Sequence, residues 1–119
     1  MTEIVIWAEQ RDHRLLDVAL EVLQKARDLS SFYEGRVSAI LIGEKCGQLA
    51  EELVEYGASR VFVIENPKLR LYQSEAYARI IAQILEEVSP EIVLIGGKTI
   101  GMDLAPAVAA RLRTGLTAH

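Results

Sequence analysis

The sequence has little of the material that several protein classes require. Its single cysteine, Cys46, has no partner for an internal disulfide, which excludes a disulfide scaffold. The longest apolar runs, such as residues 92–95, are far shorter than the roughly 20 residues that a membrane-spanning helix needs. The first residues lack the cationic stretch and apolar core of a secretory signal. We therefore expect a cytoplasmic protein without a membrane span.

A concentration of positive charge is also missing. Lys and Arg number 13 against 17 Asp and Glu, and the formal net charge is -4. Because nucleic-acid phosphates are bound by basic patches, we expect no nucleic-acid partner. No set of His, Cys, Asp and Glu residues has the spacing of a metal site.

The residues that are present are those of one globular domain. Half of the 119 residues are hydrophobic and a quarter are charged, which is typical of a soluble domain with one core. No internal repeat, low-complexity segment or compositional break divides the chain. We therefore expect residues 1–119 to form a single domain.

Four short apolar runs rich in Val and Ile predict strands buried on both faces, at residues 4–8, 37–42, 61–64 and 92–95. Helical apolar spacing follows each run, at residues 15–29, 49–54, 77–88 and 104–112. Ser74 is the expected N-cap of the third helix, and Gly57 and Pro90 are the expected ends of the second and third. Strands that alternate with helices form a parallel sheet with helices on both faces. We predict a three-layer α/β sandwich with strand order 3-2-1-4.

In such a sheet, ligands bind at the carboxyl ends of the strands, where the order of winding reverses. The predicted loops at residues 9–13 and 96–102 border that point. The second loop precedes a helix, where free backbone N–H groups can hold an anion. The candidate residues for cofactor contact are therefore Gly96, Gly97, Lys98, Thr99 and Gly101. The glycine spacing excludes both a P-loop and a dinucleotide-binding fingerprint.

Acidic, basic and imidazole groups gather in the first of these loops. His13 could form a general acid–base pair with Glu9 or Asp12. Because no nucleophile or metal ligand accompanies them, a solvated charged loop is the better interpretation. We predict no catalytic residue and no enzymatic activity.

Asp103 and Cys46 also have structural interpretations. Pro106 lacks an N–H and fits the first turn of a helix if Asp103 is the N-cap. Cys46 lies near the start of the second helix without a His or a second Cys beside it, so we expect an inert thiol. The terminal His119 is expected to be mobile. The aromatic residues expected to pack, one of which could face a partner, are Trp7, Tyr56, Tyr72 and Tyr77.

Several segments resemble the alpha subunit of electron transfer flavoproteins. They include residues 8–12 (Ala-Glu-Gln-Arg-Asp), residues 20–23 (Leu-Glu-Val-Leu) and residues 56–58 (Tyr-Gly-Ala). Residues 96–118 resemble the end of that family's first domain, with Asp-Leu-Ala-Pro at 103–106 and Thr-Gly-Leu-Thr-Ala at 114–118. The likeness covers nearly the whole chain.

This resemblance implies an amino-terminal domain with an adenine-nucleotide-hydrolase-like fold. In that family the alpha subunit pairs with a beta subunit, and the heterodimer carries electrons on FAD from dehydrogenases to a quinone-linked or similar acceptor. The FAD is held chiefly by a carboxy-terminal alpha domain, which we expect to be absent here. The resemblance therefore implies a scaffold role, pairing with a beta subunit or self-association, and no FAD bound by this chain alone.

Two alternatives of other classes remain open. The implied fold is similar to that of universal stress proteins, which suggests a stand-alone adenine-nucleotide-binding module. The glycines available for such a site, Gly97, Gly101 and Gly115, differ in spacing from the pattern of those proteins. The other alternative is an interaction domain without a ligand.

Overall fold

The computed structural model describes residues 2–112, apart from the side chain of Thr99. The strands in this range are β1 Glu3–Trp7, β2 Gln10–Arg11, β3 Arg14–Leu15, β4 Arg36–Gly43, β5 Arg60–Glu65 and β6 Ile92–Leu94. The helices are α1 Asp17–Tyr33, α2 Leu49–Glu55, α3 Ser74–Val88 and α4 Thr99–Leu112, with a short 3-10 helix at Pro67–Leu69. The expectations for Gly115, for His119 and for residues 114–118 fall outside the described residues.

Strand β1 lies inside a parallel sheet whose order is β5-β4-β1-β6. Ile4 of β1 pairs with Val37 of β4 on one side and with Ile92 of β6 on the other. These four strands are the predicted ones, and their bounds agree with the prediction to within one residue. The predicted order 3-2-1-4 is confirmed.

Helices cover both faces of this sheet. Ile4 faces the layer formed by α1 and α2, where Leu23 and Leu53 are fully buried. Its neighbour Val5 faces the layer formed by α3 and α4, where Ile81 is buried. Successive strand residues point to opposite faces, so the continuous apolar runs supply both cores at once. The three-layer α/β architecture is confirmed.

The two outer strands are more exposed than the sequence predicts. Val63 of β5 and Val93 of β6 are each 38% exposed, although both runs were expected to be buried on both faces. An outer strand has a neighbour on one side only, and its side chains are covered only where a helix extends over them. The prediction of full burial is wrong for these two strands.

Helix α4 begins at Thr99, four residues before the predicted N-cap Asp103. That prediction is wrong, because the helix continues from Thr99 through Pro106 to Leu112. A proline in a helix interior removes one N–H and costs about 3 kcal/mol. Tertiary packing compensates, since Leu104 and Val108 are 0% and 4% exposed within the core shared with α3.

The other predicted helix ends differ only slightly from those observed. Ser74 is the first residue of α3, and Gln73 is its N-cap. Gly57 follows α2 with φ of 113°, a backbone conformation that favours glycine. Ser89 ends α3 in the left-handed conformation directly before Pro90.

Candidate functional site

A shallow cleft opens at the carboxyl edge of the sheet, beside the point where the winding order reverses between β1 and β6. It lies where open parallel sheets bind ligands. The structure brings Glu9 and Arg11 of the first predicted loop together with Lys98 of the second. The start of α1 adds residues that the sequence analysis did not include. They are Leu16, Asp17, Val18 and Glu21.

Glu9 is the buried acid of this cleft, with an exposure of 5%. It directly follows the apolar run of β1, so the strand carries it to the sheet edge. Burial raises the pKa of the Glu9 carboxyl, and the positive charge of Arg11 opposes that rise. The carboxyl is thus able to hold its proton at a higher pH than an exposed glutamate.

The general acid–base pair considered from the sequence is not assembled. His13 lies at the tip of the β2–β3 hairpin, where its Nδ1–H donates a hydrogen bond of 2.8 Å to the Lys45 carbonyl. Neither His13 nor Asp12 lines the cleft that contains Glu9. Among the described residues, the loop is an exposed charged hairpin, which supports the structural interpretation.

Backbone geometry explains why a hairpin forms there. Asp12 and His13 have φ of 52° and 66°, as required by a two-residue turn that matches the twist of its flanking strands. Gln10 fixes the base of the hairpin, because its Nε2 donates a hydrogen bond of 3.0 Å to the Ile42 carbonyl. The hairpin is therefore attached at its base to β4 and at its tip to the β4–α2 connection.

The glycines of the second loop serve close packing. A Cβ on Gly101 would lie 1.8 Å from the Gly96 carbonyl oxygen, so the loop folds directly against the first turn of α4. A Cβ on Gly96 would lie 2.4 Å from Cγ2 of Val18, where α1 packs. Gly97 and Lys98 are exposed, and Thr99 is the first residue of α4. Close contacts with the Val18 side chain and with the Gly96 carbonyl explain Gly96 and Gly101 without a bound phosphate.

The charges of the cleft also oppose phosphate binding. Glu9, Asp17 and Glu21 contribute three carboxyl groups, whereas Arg11 and Lys98 contribute two positive charges. A pyrophosphate requires an excess of donors and positive charge. The described residues of this cleft therefore do not fit the pyrophosphate of FAD.

Two backbone N–H groups at the carboxyl edge of the sheet could bind an anion, but a side chain of the protein already occupies them. The Glu65 carboxylate accepts hydrogen bonds from the backbone N–H groups of Cys46 and Gly47, at 2.8 and 2.9 Å. These two bonds lower the pKa of Glu65. This role was not predicted from the sequence, although Glu65 directly follows an apolar strand run and must therefore lie at the carboxyl edge.

Cys46 is buried beside this carboxylate. Burial, together with the negative charge of Glu65, raises the pKa of the Cys46 thiol to about 11. A nucleophilic cysteine needs a thiolate and therefore a lowered pKa. Its burial and raised pKa support the interpretation of Cys46 as an inert thiol.

The opposite, amino-terminal edge of the sheet carries a network of ionic hydrogen bonds. The Glu3 carboxylate accepts from Ser38 Oγ at 2.6 Å, from Arg60 at 3.2 Å and from Arg36. The backbone N–H of Glu3 donates to the Glu91 carboxylate at 2.6 Å. Each of these residues lies at or near the start of a strand, so the network joins all four strands of the sheet.

The aromatic residues divide into two groups. Trp7 and Tyr77 are 5% and 4% exposed and pack in the core, as expected. Tyr72 is half-buried and contacts Tyr77 edge to face, with ring centroids 5.1 Å apart. Tyr56 is 50% exposed, so its predicted packing role is wrong. It is the C-cap residue of α2.

The described residues contain neither a helix fit to span a membrane nor a cluster of metal ligands. None of the helices in residues 2–112 combines the length and apolar character of a membrane span. Within the same range, no three His, Cys, Asp or Glu side chains are grouped so that they could hold a metal ion.

The fold defines the class of protein to which the chain belongs. It is a three-layer α/β domain with an adenine-nucleotide-hydrolase-like fold. A universal stress protein from Archaeoglobus fulgidus matches it with a TM-score of 0.60 and 14% identity, over 93% of this chain and 87% of that chain. This likeness shows the fold alone. A family model for the electron transfer flavoprotein domain matches residues 4–119, and the chain therefore belongs to that family.

Curated relatives agree with this assignment. The electron transfer flavoprotein subunit alpha of Thermoanaerobacterium thermosaccharolyticum is 45% identical over 116 residues, 98% of this chain and 35% of the relative. The acryloyl-CoA reductase electron transfer subunit beta of Anaerotignum propionicum is 39% identical over 116 residues, 98% of this chain and 32% of the relative. The chain thus spans about a third of the length of these relatives. The resemblance seen in the sequence is confirmed.

Proposed function

We propose that this chain is a scaffold domain of an electron transfer flavoprotein alpha subunit. In this role it supports an FAD-dependent electron carrier that operates between dehydrogenases and a quinone-linked or similar acceptor. The similarity to a relative named as an electron transfer flavoprotein alpha subunit, over 98% of this chain, supports the proposal. The domain has a binding role and catalyses no reaction of its own.

Protein groups already fill two positions at the carboxyl edge where a phosphate could bind, and this occupancy carries the proposal. Glu65 occupies the backbone N–H groups before α2, and the Gly96 carbonyl packs against Gly101 in the first turn of α4. Both positions lie at helix starts, where a nucleotide phosphate would otherwise bind. The flavin would therefore be held by other parts of the carrier, and this domain would contribute a rigid surface.

An exposed apolar region supports pairing with a beta subunit. Leu71 and Met102 are 72% and 68% exposed. The hydrogen bond between their sequence neighbours Tyr72 and Asp103 joins the two segments that carry Leu71 and Met102. Exposed apolar residues that lie together mark protein interfaces more often than isolated ones do. We propose that this region contacts the beta subunit.

Titration of the purified chain with FAD and with ATP tests the scaffold role. The proposal predicts no saturable binding of either ligand, whereas a complete flavoprotein of the family, as a positive control, takes up FAD. Saturable ATP binding that Lys98→Glu abolishes and Arg79→Glu leaves intact would instead establish the nucleotide-binding module. Stoichiometric FAD on the wild-type chain would contradict the scaffold role.

A further inference from the structure

Two arginines face each other across the β2–β3 hairpin. Arg11 and Arg14 are directly paired in its antiparallel register, and both are exposed. Directly opposed residues on one face of such a pair have Cβ atoms about 5 Å apart, and like charges in that arrangement are destabilising. The ion pairs formed among the described residues include neither arginine. Neither arginine is therefore held by an ion pair among the described residues, although the charge of Arg11 also acts on Glu9.

The hairpin also keeps this pair in a fixed position. Asp12 and His13 form its turn with φ in the left-handed region, which non-glycine residues adopt only when their surroundings require it. Hydrogen bonds from His13 to the Lys45 carbonyl and from Gln10 to the Ile42 carbonyl attach it to the domain. A pre-ordered pair of this kind loses little conformational entropy when a partner binds.

The β2–β3 hairpin is distinguished by its pair of guanidinium groups and not by a large net charge. Asp12 and Glu44 lie beside the hairpin tip in the sequence and limit its overall positive charge. Arg11 also reaches toward Glu9, whose pKa its charge lowers. Guanidinium groups bind carboxylates through two parallel hydrogen bonds, which requires orientation as well as charge. A carboxylate placed between Arg11 and Arg14 would remove their repulsion.

We propose that the Arg11/Arg14 pair is a docking point for carboxylates on the surface of a protein partner. Both arginines are exposed, and Arg11 also borders the cleft that contains Glu9, so a single small anion gains little there because solvent screens it. A partner surface with several carboxylates engages both guanidinium groups at once and excludes water around them. This inference is independent of the flavin and of the subunit assignment proposed above.

A hexaglutamate peptide is the probe for this site, and binding is measured by calorimetry at low ionic strength. The double variant Arg11→Gln/Arg14→Gln should bind the peptide about tenfold or more weakly, which corresponds to about 1.4 kcal/mol. The matched control Arg70→Gln/Arg79→Gln removes two exposed arginines elsewhere and should change the affinity less than about twofold. The charge-conserving variant Arg11→Lys/Arg14→Lys should also bind more weakly, because lysine lacks the planar fork.

Three results would overturn the proposal. The first is a loss of affinity in the Arg70/Arg79 control equal to that of the hairpin variant, which would mean attraction by overall charge. The second is inorganic phosphate binding as tightly as the peptide, which would indicate a free-anion site. The third is wild-type chain that does not bind the peptide at low salt. Circular dichroism establishes that each variant is folded. If the double variant is unfolded, the single variant Arg14→Gln replaces it in the binding measurement.

Discussion

The Tyr72 hydroxyl donates a hydrogen bond of 2.6 Å to the Asp103 carboxylate. This bond joins the segment before α3 to the second turn of α4. The two residues that it connects are far apart in the sequence. Burial of the phenol is the larger cause and the hydrogen bond to Asp103 is the next, and together they raise the pKa of Tyr72 to about 12. Asp103 therefore holds two helices together and does not cap one.

Replacing Tyr72 with Phe removes this bond and should lower the free energy of unfolding by about 1 kcal/mol, measured by urea denaturation near neutral pH. The folded-state pKa of Tyr72 lies above the ordinary value near 10. The stabilisation of the fold by the Tyr72 hydroxyl is therefore complete below pH 10 and disappears as the pH rises toward 12. The difference between wild type and variant should shrink over this window. Tyr56→Phe, at a half-exposed ring, should have no such effect, and equal losses for the two variants would contradict the account.

Glu3 should make the sheet sensitive to acid. Burial by itself would raise the pKa of Glu3, but hydrogen bonds from Ser38, Arg36 and Arg60 together lower it below its ordinary value. A lowered folded-state pKa stabilises the fold above the unfolded pKa of about 4.3, and this contribution is lost as pH falls through the folded value. We expect Glu3→Gln to cost about 2 kcal/mol at neutral pH.

The measurement for Glu3 is urea denaturation of wild type and Glu3→Gln at several pH values. Their stabilities should converge as the solution is acidified below about pH 4. Glu87→Gln, an exposed glutamate on α3, is the control and should match wild type throughout. A stability gap for Glu3→Gln that persists unchanged in acid would rule out the ionic network as its cause.

Gly101→Ala should be among the most destabilising single-methyl additions in the chain. The new Cβ would lie 1.8 Å from a backbone oxygen, that of Gly96, which cannot move aside without displacing the loop. We expect a loss of about 2 to 4 kcal/mol in chemical denaturation. Gly47→Ala is the control, because its Cβ would meet Glu65 only at 3.4 Å, an ordinary contact. Wild-type stability in Gly101→Ala would show that the loop is not packed as described.

Cys46 should resist thiol reagents in the folded protein. With a pKa of about 11, roughly a thousandth of the thiol is ionised near pH 8, and the side chain is fully buried. Labelling with a disulfide reagent should therefore be slow for native protein and at least about a hundredfold faster in concentrated urea. Native and unfolded rates of similar size would mean that the segment before α2 is open to solvent.

The sequence alone was sufficient for most of the architecture, because continuous Val and Ile runs have few stable placements other than a doubly covered parallel sheet. The same reasoning placed Glu9, Arg11 and Lys98 at one edge, since carboxyl ends of parallel strands meet there. The start of α4 was mispredicted because a local rule for Pro106 was overridden by burial of Leu104.

The polar contacts were harder to predict for a different physical reason. Glu65 and the N–H of Cys46 are separated by 19 positions, and their meeting depends on the angle at which the connection leaves β4. Strand starts offered a clearer signal for Glu3, since Arg36 and Arg60 also begin strands of the same parallel sheet. Placing charged residues by strand end would have identified that network from the sequence.

The most direct test of the scaffold proposal is sedimentation velocity of the purified chain with the electron transfer flavoprotein beta subunit from the same genome. We predict a one-to-one complex that Leu71→Ser/Met102→Ser weakens and that Phe32→Ser, at another exposed apolar residue, does not. The chain alone, run in parallel, reports any self-association. Independent sedimentation of the two proteins at micromolar concentrations, with both shown to be folded, would contradict the proposal.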